Sequence, residues 1–166
     1  MRSIEDSVTI ATEIGKRVYQ EDYTLVYHFN PGGEREGVLL ALMDGHNGVG
    51  VAKFCKENIP KLFSLSKGEC TTTALKRLVV QLNEHTLKMQ SGSTLSVVYI
   101  PKNAERAYVA FLGDSPIMIW DKNGSVNISK EHNASTNENE RAAAEKRGGV
   151  YEDGYIWIPT PGPSAG

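Results

Sequence analysis

Two carboxylates stand directly after apolar runs of this sequence, at positions where a sheet would present them for chemistry. Asp44 follows the run Val38–Met43, and Asp114 follows Ala107–Leu112 after a single glycine. A buried strand would deliver each carboxylate to its C-terminal end. Taken singly, each residue could equally be an ordinary turn aspartate.

A further acidic pair lies between the first two predicted strands. Glu21 and Asp22 follow Arg17 by four and five residues. Four carboxylates brought to one end of a sheet would repel and raise one another's pKa unless a divalent cation lay among them. Oxygen-only ligands suit Mg²⁺ or Mn²⁺ better than zinc. The pattern therefore predicts a site for one of these two ions.

The elements that must position these groups begin with strands. Val8–Ile14 and Tyr23–Phe29 are short β-branched or aromatic runs around a polar turn, which predicts two paired strands. Val38–Met43 is a continuous apolar run and predicts a buried strand. We expect that strand to end at the segment Asp44-Gly45-His46-Asn47-Gly48.

Helical periodicity follows in two segments. The first predicted helix has Pro60 near its end, and its apolar face consists of Ala52, Cys55, Ile59 and Leu62. The second has possible N-caps at Thr71–Thr73, and its apolar face consists of Leu75, Leu78, Val79 and Leu82.

The later part of the chain returns to strand patterns before one short helix. Strands are predicted at Thr94–Ile100, Ala107–Leu112, Ile117–Trp120 and Tyr155–Ile158, with a hairpin turn at Asn123-Gly124. A helix is predicted over Asn137–Arg147, which ends at two glycines. This order favours an α+β layered domain over residues 1–158, followed by a Pro/Gly-rich tail at 159–166.

Charge and cysteine content exclude several classes of protein. Eighteen Lys and Arg oppose twenty Asp and Glu in 166 residues, so we expect neither a nucleic-acid partner nor a polybasic membrane surface. The run Val38–Met43 is far too short to span a bilayer. Cys55 and Cys70 lack metal or disulfide spacing, so we interpret both as packing residues of an intracellular protein, cytoplasmic or nuclear.

Several short motifs occur together in a specific order. They are Gly15–Asp22, Asp44–Gly48, Ser91–Thr94, Gly113–Ser115, and His132 followed by Glu138, Arg141 and Gly148-Gly149. As a set they resemble the metal-dependent serine/threonine protein phosphatases of the 2C type, from about Val8 to Ile158. The resemblance implies a layered sandwich of antiparallel β-sheets flanked by α-helices, with a dinuclear metal centre at one end.

The resemblance also implies metal ligands. Asp44 would bridge two Mg²⁺ or Mn²⁺ ions, and Gly45 would offer its carbonyl oxygen to one of them. Glu21 would hold the second ion largely through water, with Asp22 in the same water network. Asp114 would contribute to a more weakly held third ion.

The remaining roles concern the substrate, a phosphoserine or phosphothreonine protein. Arg17 would clamp the phosphate, a role suited to a planar and permanently charged guanidinium. His46 would be the general acid that protonates the leaving oxygen. With Asp44, these two residues form the implied catalytic set. Thr94 would contact the metal ligands and not the ions themselves.

The sequence departs from the family pattern in three places. Pro116 stands where arginine commonly follows Gly-Asp-Ser, and Asn47 stands where the family has glycine after Asp-Gly-His. The family domain also continues beyond this chain and supplies two further aspartate ligands. We therefore expect a C-terminally truncated phosphatase with little or no activity alone.

Two hypotheses remain open at this point. The chain is a piece of a genuine phosphatase, or it is an inactive phosphatase-like module for binding or regulation. The presence of all the motif carboxylates favours the first. Loss of later strands would leave sheet edges unpaired, so we also expect marginal stability or self-association of the isolated chain.

Overall fold

The computed structural model describes residues 8–64, 68–102 and 105–159. The chain divides into two compact units, the first ending at Ile117 and the second beginning at Met118. In the described residues no helix is both long enough and apolar enough to cross a membrane.

The first unit contains a four-stranded antiparallel sheet with two helices. Its elements in chain order are β1 (Tyr23–Phe29), β2 (Gly37–Met43), β3 (Gly45–His46), α1 (Gly50–Ser64), α2 (Thr71–Thr86), β4 (Gly92–Ser93), β5 (Leu95–Pro101) and β6 (Tyr108–Leu112). The strand order in the large sheet is β1-β2-β5-β6, while β3 and β4 form a separate two-stranded ladder. The mixture of helices with antiparallel sheet confirms the predicted α+β class.

The antiparallel register brings four chain segments to one end of the sheet. Tyr23 at the start of β1 pairs with Met43 at the end of β2. Leu95 at the start of β5 pairs with Leu112 at the end of β6. Because β2 also pairs with β5, the residues just outside these four ends lie together. We call this edge the Asp44 end of the sheet.

Both helices cover one face of that sheet, because alternate strand residues and the helices' apolar faces share one core. This core consists of Leu39, Ala41, Met43, Val51, Ala52, Cys55, Ile59, Phe63, Ala74, Leu75, Leu78, Leu82, Leu95, Val97 and Tyr99. The second predicted apolar face is confirmed, since Leu75, Leu78 and Leu82 are buried. Pro60 lies inside α1, which continues to Ser64.

Two local predictions in this unit were wrong. Residues 8–14 form no strand, since they join no ladder of the described residues, and β1 pairs along one edge only, with β2. The N-cap of α2 is Cys70, ahead of Thr71–Thr73, and no side chain there accepts a capping hydrogen bond.

The second unit is small and built from two hairpins and one helix. Its elements are β7 (Met118–Trp120), β8 (Val126–Ile128), α3 (Glu138–Lys146), β9 (Val150–Glu152) and β10 (Tyr155–Trp157). Asp121 Oδ1 accepts from the backbone N–H groups of Asn123 and Ser125 in the predicted hairpin turn, at 2.8 and 2.9 Å. Sequence reasoning missed β9, a three-residue strand that pairs with β10. Residues 160–166 of the predicted tail lie outside the described residues.

Candidate metal centre and adjoining cleft

Asp44 lies at the end of β2, and Thr94 holds its backbone on both sides. The Asp44 N–H donates to Thr94 Oγ1 at 3.1 Å, and the Thr94 N–H donates to the Asp44 carbonyl oxygen at 2.9 Å. These bonds extend the pairing of β2 and β5 by one residue. They fix the direction in which the Asp44 carboxylate leaves the sheet.

The loop that carries Asp114 is bound to β5 by two hydroxyl groups. The Thr94 and Ser115 hydroxyl oxygens lie 2.7 Å apart, and Ser96 Oγ donates to the Ser115 carbonyl oxygen at 2.6 Å. Thr94 therefore joins the Asp44 motif to the Gly-Asp-Ser motif. This explains why a threonine follows Ser91-Gly92-Ser93 in the sequence.

Glu21 packs directly against the turn that follows Asp44. Glu21 Oε1 accepts from the Gly48 N–H at 2.5 Å. A Cβ on Gly45 would overlap the Glu21 carbonyl oxygen and lie 3.3 Å from Ala52 Cβ. Glycine is thus required at position 45 by close backbone approach.

Arg17 is carried on a short loop that precedes these carboxylates. Its backbone N–H donates to the Ile14 carbonyl oxygen at 3.2 Å. Gln20 braces the loop, since its Nε2 donates to Thr12 Oγ1 at 2.6 Å and its Oε1 accepts from the Asp22 N–H at 3.3 Å. Sequence reasoning missed this role of Gln20, although an amide between Arg17 and the acidic pair was a visible signal.

These segments enclose a cleft of about 500 Å³. Its lining residues are Glu13, Ile14, Arg17, Tyr19, Gln20, Glu21, Asp22, Asp44, Gly45, His46 and Asn47. Six of the seven residues singled out from the sequence are in this set. Asp114 is outside this lining, and its negative charge raises the pKa of the Asp44 carboxyl group. Glu13 and Ile14 were not anticipated because they precede the Gly15–Asp22 motif, and Tyr19, which lies within that motif, was assigned no role.

The electrostatics of Asp44 show that the carboxylates converge. Burial raises the pKa of the Asp44 carboxyl group most, followed by the negative charges of Asp22 and Asp114. A side-chain hydrogen bond with Asp22 raises that pKa further, whereas His46 lowers it. Mutual repulsion of this kind is relieved when a cation lies between the oxygens.

The oxygen donors fit a divalent ion that keeps much of its water. Within 8–64, 68–102 and 105–159, no three His, Cys, Asp or Glu side chains are grouped closely enough to hold an ion by themselves. Mg²⁺ characteristically retains several waters and binds proteins through one or two carboxylates. Asp22 and Asp44, which both line the cleft, supply two carboxyl groups of this kind.

The two cysteines occupy different environments. Cys55 is buried in the core, and burial raises the pKa of its thiol to about 11. It is therefore a packing residue, as predicted. The prediction was wrong for Cys70, which is exposed at the start of α2. There the Thr73 hydroxyl lies 3.0 Å from its sulfur and lowers the thiol pKa.

Comparison with known proteins agrees with this arrangement. The sequence profile described as Protein phosphatase 2C matches residues 15–157, which include every lining residue of the cleft except Glu13 and Ile14. The chain belongs to the protein phosphatase 2C family. This match agrees with the prediction, made from the motifs, that the chain is the N-terminal portion of the family domain.

Similar family members are named as phosphatases. A probable protein phosphatase 2C 59 of Oryza sativa subsp. japonica is 31% identical over 157 residues, covering 89% of this chain and 46% of that protein. The integrin-linked kinase-associated serine/threonine phosphatase 2C of Bos taurus is 30% identical over 139 residues, covering 70% and 37%. The chain thus spans less than half the length of these two relatives.

Solved structures share the fold at lower identity. A sex-determining protein of C. elegans has a TM-score of 0.67 at 23% identity, covering 87% of this chain and 39% of that one. The serine-threonine phosphatase 2C of Toxoplasma gondii has a TM-score of 0.60 at 20% identity, covering 84% and 54%. The likeness confirms the 2C-type phosphatase fold class.

Proposed function

We propose that this chain is part of a metal-dependent serine/threonine protein phosphatase that hydrolyses phosphomonoesters with a metal-activated water. Family membership supports the reaction class. One observation supports the site most strongly, namely the convergence of Asp22 and Asp114 on Asp44 beside a cleft that contains Arg17 and His46. A cation held by this acidic centre, together with the guanidinium and the imidazole, would offset the negative charge of a phosphomonoester and of its leaving oxygen.

The chain's own residues divide the work between binding and proton transfer. Arg17 binds the phosphate oxygens with its guanidinium at the exposed side of the cleft. His46 gives its proton to the seryl or threonyl oxygen as the bond to phosphorus breaks. Neither step needs a protein nucleophile, which agrees with the burial of Cys55.

The metal ligands in this proposal are Asp44, Asp22, Glu21 and the carbonyl oxygen of Gly45, with Asp114 serving a third, weaker ion. When bound, Mg²⁺ or Mn²⁺ lowers the pKa of coordinated water and offsets negative charge on the phosphate. The Gly48 N–H donates to Oε1 of Glu21 and so restrains this carboxylate beside the cleft.

Activity of the chain alone is the point on which the two hypotheses differ. We propose that it is a piece of an active phosphatase with little or no activity by itself, because the relatives are more than twice as long. The alternative is an inactive phosphatase-like binding module. The ordered Arg17 loop and the converging carboxylates favour the first, since a binding module has no need of them.

Hydrolysis of a phosphothreonine peptide in Mn²⁺ tests the function directly. The variant Asp44→Asn is compared with Glu57→Gln, an exposed carboxylate on α1 whose partner is Lys53. Activity that is lost in Asp44→Asn and kept in Glu57→Gln supports a working centre in this chain. No activity, together with calorimetric Mn²⁺ binding that Asp44→Asn abolishes, supports an incomplete phosphatase. Absence of both activity and Mn²⁺ binding contradicts the proposal and favours the binding module.

Two further predictions accompany the proposal. We place the protein inside the cell, in cytoplasm or nucleus, a compartment compatible with cysteines that form no disulfide.

Self-association through sheet edges also stays a prediction, with β1 and β6 as the outer strands of the four-stranded sheet. Sedimentation velocity over a hundredfold concentration range checks it, and a constant monomer mass contradicts it.

A further inference from the structure

The short ladder between β3 and β4 places the backbone of Gly92 under the His46 side chain. In this antiparallel pair Gly45 is opposite Ser93, and His46 is opposite Gly92. Residues directly opposite each other in a ladder are close enough for their side chains to interact. The imidazole therefore has the glycine as its immediate cross-strand neighbour.

The space above Gly92 is filled by the imidazole ring. A Cβ built on Gly92 would lie 2.6 Å from His46 Cε1 and 3.0 Å from Cδ2, and still closer to Nε2. Positive φ is recorded for nine other glycines in the described residues, and Gly92 is outside that set. Glycine at position 92 thus provides room for the ring, because its backbone is one that any residue could adopt.

The segment around Gly92 is held on both sides, so it cannot easily move away from the ring. Ser91 Oγ accepts from the Val51 N–H at the start of α1, at 3.0 Å. Thr94 is bound to the Asp44 backbone and to Ser115. Any side chain added at Gly92 would therefore displace the exposed imidazole, which is the more mobile partner.

We propose that Gly92 is a positioning residue that sets the place of the His46 imidazole in the cleft. The proposal rests on the proposed function, in which His46 protonates the leaving oxygen. Proton transfer requires hydrogen-bond reach between the acid and that oxygen, so a displaced ring loses most of its contribution. Gly92 itself contacts neither substrate nor metal in this role.

Nuclear magnetic resonance on the isotopically labelled whole chain tests the placement without any activity. We expect nuclear Overhauser effects between the His46 ring protons and the Gly92 α-protons, with His46→Gln identifying the ring signals among four histidines. Gly92→Ala should shift the His46 ring signals, whereas Ser93→Ala, on the same strand, should leave them in place. If these Overhauser effects are missing from the unsubstituted chain, the proposal is overturned.

Kinetics with two substrates test whether the placement serves the proton transfer. Gly92→Ala should lower kcat on a phosphothreonine peptide by about 10-fold or more, with KM little changed. Hydrolysis of p-nitrophenyl phosphate should change far less, because its leaving group departs as an anion. The loss should also vanish in a His46→Gln background. Equal losses on both substrates would overturn the proposal.

The two failures are distinguishable. If the unsubstituted chain hydrolyses neither substrate, Mn²⁺ binding that Asp44→Asn abolishes keeps the proposed function as an incomplete phosphatase, and absence of that binding contradicts it. In both cases the magnetic resonance experiment decides the placement of His46. If it hydrolyses both and Gly92→Ala behaves like Ser93→Ala, the positioning role fails and the function stands. A Gly92→Ala chain that does not fold leaves the Overhauser effects of the unsubstituted chain as the deciding measurement.

Discussion

At the scale of single residues, the site is built by backbone contacts as much as by charged groups. Thr94 accepts a hydrogen bond from the Asp44 N–H and donates one to the Asp44 carbonyl oxygen. Glu21 accepts a hydrogen bond from the Gly48 N–H. The carboxylates are thereby brought together in spite of their repulsion. Both the repulsion and the strained turn beside it lead to measurable predictions.

Asn47 adopts a left-handed backbone conformation, with a φ of 57°. This explains its presence at a position where the family has glycine, because asparagine tolerates that region better than other non-glycine residues. We expect Asn47→Gly to leave the stability within about 0.5 kcal/mol, and Asn47→Ala to lower it by about 1 kcal/mol. Thermal melts of the two variants check this, and equal melting temperatures contradict it.

Asp44 should destabilise the metal-free protein, since Asp22 and Asp114 repel its charge. In EDTA at pH 7, Asp44→Asn should raise the melting temperature by about 1–3 °C, a small effect because solvent screens this exposed site. Mn²⁺ should stabilise the unsubstituted chain and leave Asp44→Asn unchanged. Glu57→Gln serves as the control. An equal Mn²⁺ response in all three chains excludes Asp44 as a ligand.

At the scale of elements, α1 couples the core to the cleft. Its buried face packs on the sheet, while its first turn receives the Ser91 hydroxyl at the Val51 N–H. The residues of α1 that pack on the sheet therefore influence how firmly the Asp-Gly-His turn is held. Cys55 lies in the middle of that face.

Ionisation of Cys55 should make the protein unstable in alkali. Burial raises the thiol pKa from its ordinary 9.0 to about 11, so the unfolded chain loses this proton first. The neutral thiol therefore contributes about 2–3 kcal/mol to the free energy of unfolding below pH 9, and this contribution is lost as the pH rises through 11. Denaturant titrations should show the difference between the unsubstituted chain and Cys55→Ala shrinking over this range. Cys70→Ala, an exposed control, should follow the unsubstituted chain.

At the scale of the whole molecule, all seven residues of the proposed site belong to the first unit. Arg17 is the first of them and Asp114 the last, and the unit ends at Ile117. The family match nevertheless extends to residue 157, through the second unit. The second unit has a thinner core, since no residue of α3 is fully buried.

We expect a chain ending at Ile117 to fold and to keep its response to Mn²⁺, because its core is made within that unit. Circular dichroism should retain the helical signal of α1 and α2, and the Mn²⁺-induced rise in melting temperature should match that of the longer chain. Loss of cooperative unfolding in the shorter chain would contradict this and show that the second unit is needed for stability.

The amino-acid sequence by itself determined the family and most of the helices and strands. Apolar runs followed by Asp44 and Asp114, and helical periodicity at Leu75, Leu78 and Leu82, depend on local spacing, which a sequence displays directly. Glycine and asparagine marked the hairpin turn for the same reason. The ordered motifs then identified the family, which the profile match confirms.

Only the tertiary structure decided which segments meet. Three features depend on which segments pair and in which register. Val8–Ile14 joins no ladder, Thr94 binds Asp44 across 50 residues, and Gly92 lies under His46. Register is a property of pairs of distant segments, and no local pattern at either partner specifies it. The sequence thus names the chemical groups, and the antiparallel pairing of β1 with β2, β2 with β5 and β5 with β6 brings the four carboxylates to one end of the sheet.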